Sequence, residues 1–182
     1  MEIDQLIKDI RNGDENKFEI IVNLYQQKIF KYCWCMIGNE HEAEDTVQDI
    51  FVKVFSQLYK YKVDTSFQSW LYRIAYNQCI DVLRRKKRVH MFQYIEDILS
   101  RENIIMEDNS ERNYSIHDAL KKLSVNERNI ILLKILENKS YEEISVILQK
   151  NPIALRKQFE RAKNKLKKLL KEELYNEQQF QY

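Results

Sequence analysis

The side chains best equipped for chemistry are gathered between residues 64 and 88, in the stretch DTSFQSWLYRIAYNQCIDVLRRKKR. On a helix advancing ~100° per residue, Arg73 lies ~60° from Trp70, Asn77 ~20°, Arg84 ~40°, and Arg88 returns to the starting direction. One narrow stripe thus carries an indole, an amide and three guanidinium groups. It runs into Arg84-Arg85-Lys86-Lys87-Arg88 with no acid interposed. Phosphates need the cations, and unstacked bases need flat rings to lie on and hydrogen-bonding side chains to read them. The combination predicts a surface that holds single-stranded or partly melted DNA. An amphipathic core helix with a solvated basic end is the competing reading, and either feature alone would favour it.

The elements that must position this stripe are helices. Asp64, Thr65 and Ser66 offer side-chain oxygens to free backbone N–H groups, which predicts a helix starting near Phe67. Leu71, Ile74, Ala75 and Val82 flank the stripe on one side, and Tyr72, Ile80 and Leu83 on the other. Two glycines and one proline in 182 residues leave little material for hairpins or phosphate-binding turns. That composition argues against all-β and Rossmann designs and for an all-α chain with short polar loops. The opening MEIDQLIKDI predicts no signal peptide, and no run of ~20 apolar residues predicts a membrane helix.

Net charge is only +2, yet its distribution is uneven. Residues 40–49 carry five acids and no Lys or Arg, whereas 150–171 carry nine bases and one acid. Such segregation implies two kinds of partner, one basic and one polyanionic. Cys33 and Cys35, ~200° apart on a helix, fit neither a disulfide framework nor a metal site, and a reducing compartment is expected. His41, His90 and His117 show no ligand spacing with them. No Gly-rich loop or nucleophile–base pair is recognisable, so neither a cofactor nor catalysis is expected.

Along the chain, residues 1–12 read as a short helix with Ile3, Leu6, Ile7 and Ile10 on one face, and 17–37 as a core helix stopped by Gly38-Asn39. A third helix, about 42–59, has an apolar stripe of Ala43, Val47, Ile50, Phe51, Val54, Phe55 and Leu58. Asp45, Gln48 and Asp49 lie on its outer face, where acids complement the helix dipole or receive a basic partner. Residues 60–63 read as a loop. Residues 95–111 hold six acids and one base with clumped apolar residues, the pattern of a flexible acidic linker. Beyond it, Ser124–Glu127 and Ser140–Glu143 are spaced as capping boxes, and Asn151-Pro152 caps and starts a last helix. There Leu155, Phe159, Ala162, Leu166 and Leu169 share one side, and Ile153, Arg156, Lys157, Glu160, Arg161 and Asn164 the other. A short helix, a turn and a longer basic helix predict a helix-turn-helix that reads duplex DNA.

Taken together, AEDTVQDIFVKVF (43–55), SFQSWLYRIAYNQCIDVLRRKKR (66–88), LSVNERNIILLKILENKSYEEIS (123–145) and LRKQFERAKNKLKKLL (155–170) resemble an ECF-type (extracytoplasmic-function) sigma factor of bacterial RNA polymerase. The resemblance implies two small helical domains, 1–94 and 113–182, joined by an acidic linker at 95–112. It also implies roles. Asp45, Gln48 and Asp49 would dock on the clamp helices of core RNA polymerase. Phe67, Trp70, Tyr72, Arg73, Tyr76, Asn77, Arg84, Arg85 and Arg88 would melt and grip the −10 promoter strand. Ile153, Arg156, Lys157, Glu160, Arg161 and Asn164 would read the −35 element. The family's usual inhibitor, an anti-sigma factor often held at the membrane, would be a further partner of a cytoplasmic chain with no small-molecule substrate. Where the family usually has a glycine or small residues in the turn, this chain has Leu148-Gln149-Lys150-Asn151-Pro152-Ile153, and Asn151 could take the left-handed position. A stand-alone regulator that binds duplex DNA through residues 124–171 is the alternative.

Overall fold

With nothing between residues 66 and 100 that stops a helix, neither Gly nor Pro, the chain builds long rods. The computed structural model describes residues 3–62, 66–100 and 116–179, with side chains described to 88 in the fourth helix and to 171 in the last. Asp64 and Thr65, expected caps, lie outside the described residues, as do 101–115 with most of the acidic segment. The described residues are helical and contain no strand. Helices α1 (Ile3–Arg11), α2 (Phe18–Ile37), α3 (Glu40–Gln57) and α4 (Phe67–Ser100) form one bundle. Helices α5 (Ile116–Lys121), α6 (Val125–Ile131), α7 (Tyr141–Leu148) and α8 (Pro152–Gln179) form a second. Among the described residues no helix is long and apolar enough to cross a membrane.

Local chemistry sets most of the boundaries. Gly38, at φ 77°, closes α2 by donating to the Trp34 carbonyl at 2.8 Å. Asn39 then caps α3, its Oδ1 accepting the Glu42 N–H at 3.0 Å, so α3 starts at Glu40, earlier than the expected Glu42. Helix α4 runs past the expected domain boundary at 94, and its backbone is helical across 95–100, where a linker was anticipated. Both capping boxes form: Ser124 and Glu127 exchange hydrogen bonds, as do Ser140 and Glu143. After α6 a π-helical turn, Leu132–Leu136, leads to Asn138 at φ 49°. The left-handed position between α7 and α8 falls to Gln149 (φ 54°), not Asn151. Asn151 instead caps α8, as its place before Pro152 predicts, its Oδ1 accepting the Ile153 N–H at 2.8 Å.

The first bundle closes over Ile21, Ile29, Cys33, Ile50, Val54, Leu71 and Ala75, all fully buried. Arg11 ties α1 to the end of α3 by donating from Nη2 to the Leu58 carbonyl at 2.7 Å, and also to the Tyr61 carbonyl. The second bundle closes over Leu120, Ile130, Leu133, Ile144, Leu155, Phe159 and Ala162. The two bundles are packed together, α7 lying against α4, and α5 and α6 against α2. Arg128, buried at 6% exposure, occupies that junction. Its Nε donates to the Leu120 carbonyl at 2.8 Å and its Nη2 to the Lys121 carbonyl at 3.0 Å, both at the end of α5. Its Nη1 donates to the Met36 carbonyl at the end of α2. One guanidinium therefore satisfies carbonyls at the negative ends of two helix dipoles.

Arg128→Met is expected to lower the unfolding free energy by about 2–4 kcal/mol, because buried carbonyls lose charge-assisted donors. Arg128→Lys should restore only part of this, since one ammonium cannot reproduce the planar fork. Urea titrations followed by circular dichroism check both, and a loss below ~0.5 kcal/mol for the Met variant would contradict the assignment.

Candidate nucleic-acid and partner interface

Helix α3 turns Ala43, Thr46, Ile50, Phe51 and Val54 inward, which leaves Asp45, Gln48 and Asp49 exposed together as their spacing predicts. Val52 projects beside them at 70% exposure. It lies at the lip of a groove of about 740 Å³ lined by Phe18, Val22, Val47, Phe51 and Phe55. The face thus offers carboxylates and apolar surface side by side, the combination that receives a basic amphipathic element.

Ser66 caps α4, its Oγ accepting the Ser69 N–H at 3.2 Å. Leu71, Ile74, Ala75 and Cys79 are buried, while Asn77, Arg84, Arg85 and Arg88 are exposed and Arg73 is half-buried. Trp70 is half-buried in a ring cluster, 5.3 Å from the Tyr61 centroid and 5.7 Å from that of Phe67. Tyr61, placed in a loop by its sequence context, is 3% exposed and packs on Phe67 as well. Two expected strand contacts are corrected here. Phe67 is 4% exposed beneath the cluster, and Tyr72 is fully buried, edge-on to Tyr32 at 5.4 Å. Two positions past Trp70, Tyr72 lies ~200° round the helix and must face the core. Its burial, with the Glu137 carboxylate close by, drives the phenol well above its ordinary pKa and keeps it neutral. Tyr76 is half-buried, its hydroxyl donating to Asn126 Oδ1 at 3.2 Å.

The basic end of α4 does not stand apart from the acidic face of α3. Lys86 is ion-paired with Glu42, and Lys53 donates to Gln78 Oε1 at 3.1 Å. Asp49, Gln78, Asp81, Arg84, Arg85 and Arg88 line one open cleft of about 780 Å³. The two charge blocks of the first bundle therefore meet along one edge. Sequence spacing carried no signal for this, since Glu42 and Lys86 belong to different elements.

In the second bundle, α8 buries Leu155, Phe159, Ala162 and Leu166 and exposes Arg156, Lys157, Glu160, Arg161 and Asn164. Ile153 is 69% exposed at its start. The Arg156 guanidinium lies 5.7 Å from the Tyr141 ring centroid, and Tyr141 packs against Phe159 at 6.2 Å. Burial opposes the Glu143 charge, yet the Ser140 N–H and the Lys139 ammonium hold its carboxyl below the ordinary value. Lys139, between Asn138 and the Ser140 cap, is 4% exposed. Neither it nor the buried pair Arg128 and Asn129 was marked by spacing.

The sequence matches the Sigma-70 region 2 family model over residues 21–89 and the Sigma-70, region 4 model over 114–166. It is 30% identical to ECF RNA polymerase sigma factor SigW of Bacillus subtilis (strain 168), over 94% of this chain and 98% of that protein. It is 28% identical to RNA polymerase sigma-H factor of Pseudomonas aeruginosa, over 91% of this chain and 92% of that one. The fold is similar to that of CnrH in complex with the cytosolic domain of CnrY, with a TM-score of 0.69, 23% identity, and coverage of 91% of this chain and 95% of that one. It is also similar to the sigma factor RpoE in complex with the anti-sigma factor NepR from Bartonella quintana, with a TM-score of 0.66, 22% identity, and coverage of 85% and 96%. The region 2 match, which covers both the acidic face and the stripe on α4, decides against a stand-alone duplex-binding regulator. With helix faces, paired sigma regions and near full-length relatives in agreement, the chain belongs to the ECF RNA polymerase sigma factors, which direct core polymerase to promoters.

Proposed function

We propose that this sigma factor divides promoter opening among three surfaces. Asp45, Gln48 and Asp49 on α3 dock on the clamp helices of core polymerase. Trp70, Arg73, Tyr76, Asn77, Arg84, Arg85 and Arg88 on α4 capture the separated −10 strand, with Phe67 and Tyr72 acting from beneath as support. Ile153, Arg156, Lys157, Glu160, Arg161 and Asn164 on α8 read the −35 duplex. Residues 1–94 serve the first two tasks and 113–182 the third.

The observation that carries this reading is the edge shared by α3 and α4, where an exposed acidic face and an exposed row of guanidinium groups are neighbours. A polymerase helix seated on the first delivers its DNA to the second. Opening DNA costs a few kcal/mol per unstacked step, and stacking on an aromatic ring returns ~1–3 kcal/mol per base. The chain itself performs no catalysis in this scheme, because strand binding supplies the work. It acts in the cytoplasm, where core polymerase meets DNA. Like the RpoE neighbour, which was captured with the anti-sigma factor NepR, it is restrained by an anti-sigma partner.

Run-off transcription with sigma-free core polymerase on a genomic library tests the whole scheme: discrete RNA 5′ ends are expected, and no RNA above background would refute it. Trp70→Ala should reduce permanganate reactivity of unpaired thymines ~5-fold or more while leaving duplex binding nearly unchanged, with Trp70→Phe intermediate. Asp45→Lys sets like charges together and should weaken core binding at least ~10-fold, about 1.4 kcal/mol, in a titration of labelled chain. Arg156→Ala should cost ~1–3 kcal/mol and relax preference at one −35 position, whereas an equal loss on every sequence would limit Arg156 to phosphate contact.

A further inference from the structure

Where α3 and α4 meet, a cation decides which way one amide points. Gln78, half-buried on α4, accepts a hydrogen bond at Oε1 from the Lys53 ammonium on α3 at 3.1 Å. An ammonium only donates, so the amide oxygen must face it, and the two Nε2 hydrogens are left to donate elsewhere. The cation also draws electron density toward that oxygen, which makes the N–H groups better donors.

Gln78 lines the open cleft of about 780 Å³ together with Asp49, Asp81, Arg84, Arg85 and Arg88. A cleft of that size accommodates a nucleotide. Seven positions apart, Gln78 and Arg85 lie ~20° from each other round the helix, so a guanidinium stands two turns along on the same side. Phosphates suit Arg84, Arg85 and Arg88. They do not suit Gln78, because Asp49 and Asp81 in the same cleft repel an anion. A neutral base edge meets no such repulsion.

Base edges differ in what they offer to a pair of donors. Guanine presents two neighbouring acceptors, N7 and O6, and thymine presents O4. Adenine and cytosine put an amino donor there instead, and a two-bond pair between glutamine and adenine needs Oε1 as well as Nε2. Lys53 holds that oxygen toward α3.

We infer that Gln78 is a base-reading residue that selects guanine or thymine at one position of the −10 element, and that Lys53 is the positioning residue that fixes its amide for the task. This rests on the proposed capture of the −10 strand by α4, and adds to it a reading residue and the class of base it accepts.

Run-off transcription by reconstituted holoenzyme, from templates randomised across the −10 element and barcoded in the transcript, tests both roles. The wild type should favour guanine or thymine at least ~5-fold at one position. In Gln78→Glu one carboxylate oxygen stays with Lys53 and the other accepts, so preference at that position should move to adenine or cytosine. Lys53→Met frees the amide to flip and should bring the four bases there within ~2-fold of one another, whereas Lys53→Arg should retain the wild-type order. Titration with labelled chain should show core binding equal in all of them. Should Gln78→Glu bind core poorly, Gln78→Ala carries the comparison, with preference flattened at the same position. Unchanged preference in the Gln78 variants, or an equal loss on every template, would overturn base reading by Gln78. A Lys53→Met profile identical to that of the wild type would overturn the positioning role of Lys53. Either result leaves strand capture by α4 standing if Trp70→Ala impairs promoter opening; normal opening by Trp70→Ala condemns that reading instead.

Discussion

Everything in the first bundle depends on α4 being two things at once. Its inner side, Leu71, Ile74, Ala75 and Cys79, is core and cannot turn without dismantling the packing on α2 and α3. Its outer side is therefore fixed in direction chiefly by the burial of the inner one. A helix held this way presents Asn77, Arg84, Arg85 and Arg88, the edge proposed to take the DNA strand, in a defined direction, and preorganisation of that kind lowers the ordering cost of binding.

Around this rod the remaining parts act as fixtures. Ser66 and the rings of Tyr61, Phe67 and Trp70 set its start, and the Lys86–Glu42 pair ties its basic end to the first turns of α3. Half-buried pairs near the surface contribute modest stability, so the pair matters more for placement than for folding energy. It brings the surface assigned to polymerase docking and the surface assigned to DNA under one constraint, and it uses a lysine that composition alone would have given to phosphate.

How much of this was legible in the sequence follows from the range of each interaction. Caps are local, so Ser124, Ser140 and Asn151 announced their helices, and periodicity placed the outward residues of α3 and α8. Phe67 and Tyr72 were misjudged because being aromatic in a basic helix was weighed above the direction in which each side chain points. Side-chain preference allowed Asn151 the left-handed position as well as the cap, and its cap bond leaves that position to Gln149. Tyr32–Asn129 and Gln68–Lys139 join residues 97 and 71 positions apart, and no spacing rule reaches that far. Buried Arg128 and Lys139 look like surface cations until their carbonyl and amide partners are placed.

The most direct test of the central claim is a photo-crosslink from position 77 of the holoenzyme to promoter DNA, mapped to the nucleotide. A helix edge that grips a separated strand predicts crosslinks confined to the non-template strand within the −10 element, appearing only when the duplex opens. Crosslinks of equal strength to both strands of closed duplex, or none to DNA while core polymerase stays bound, would contradict it.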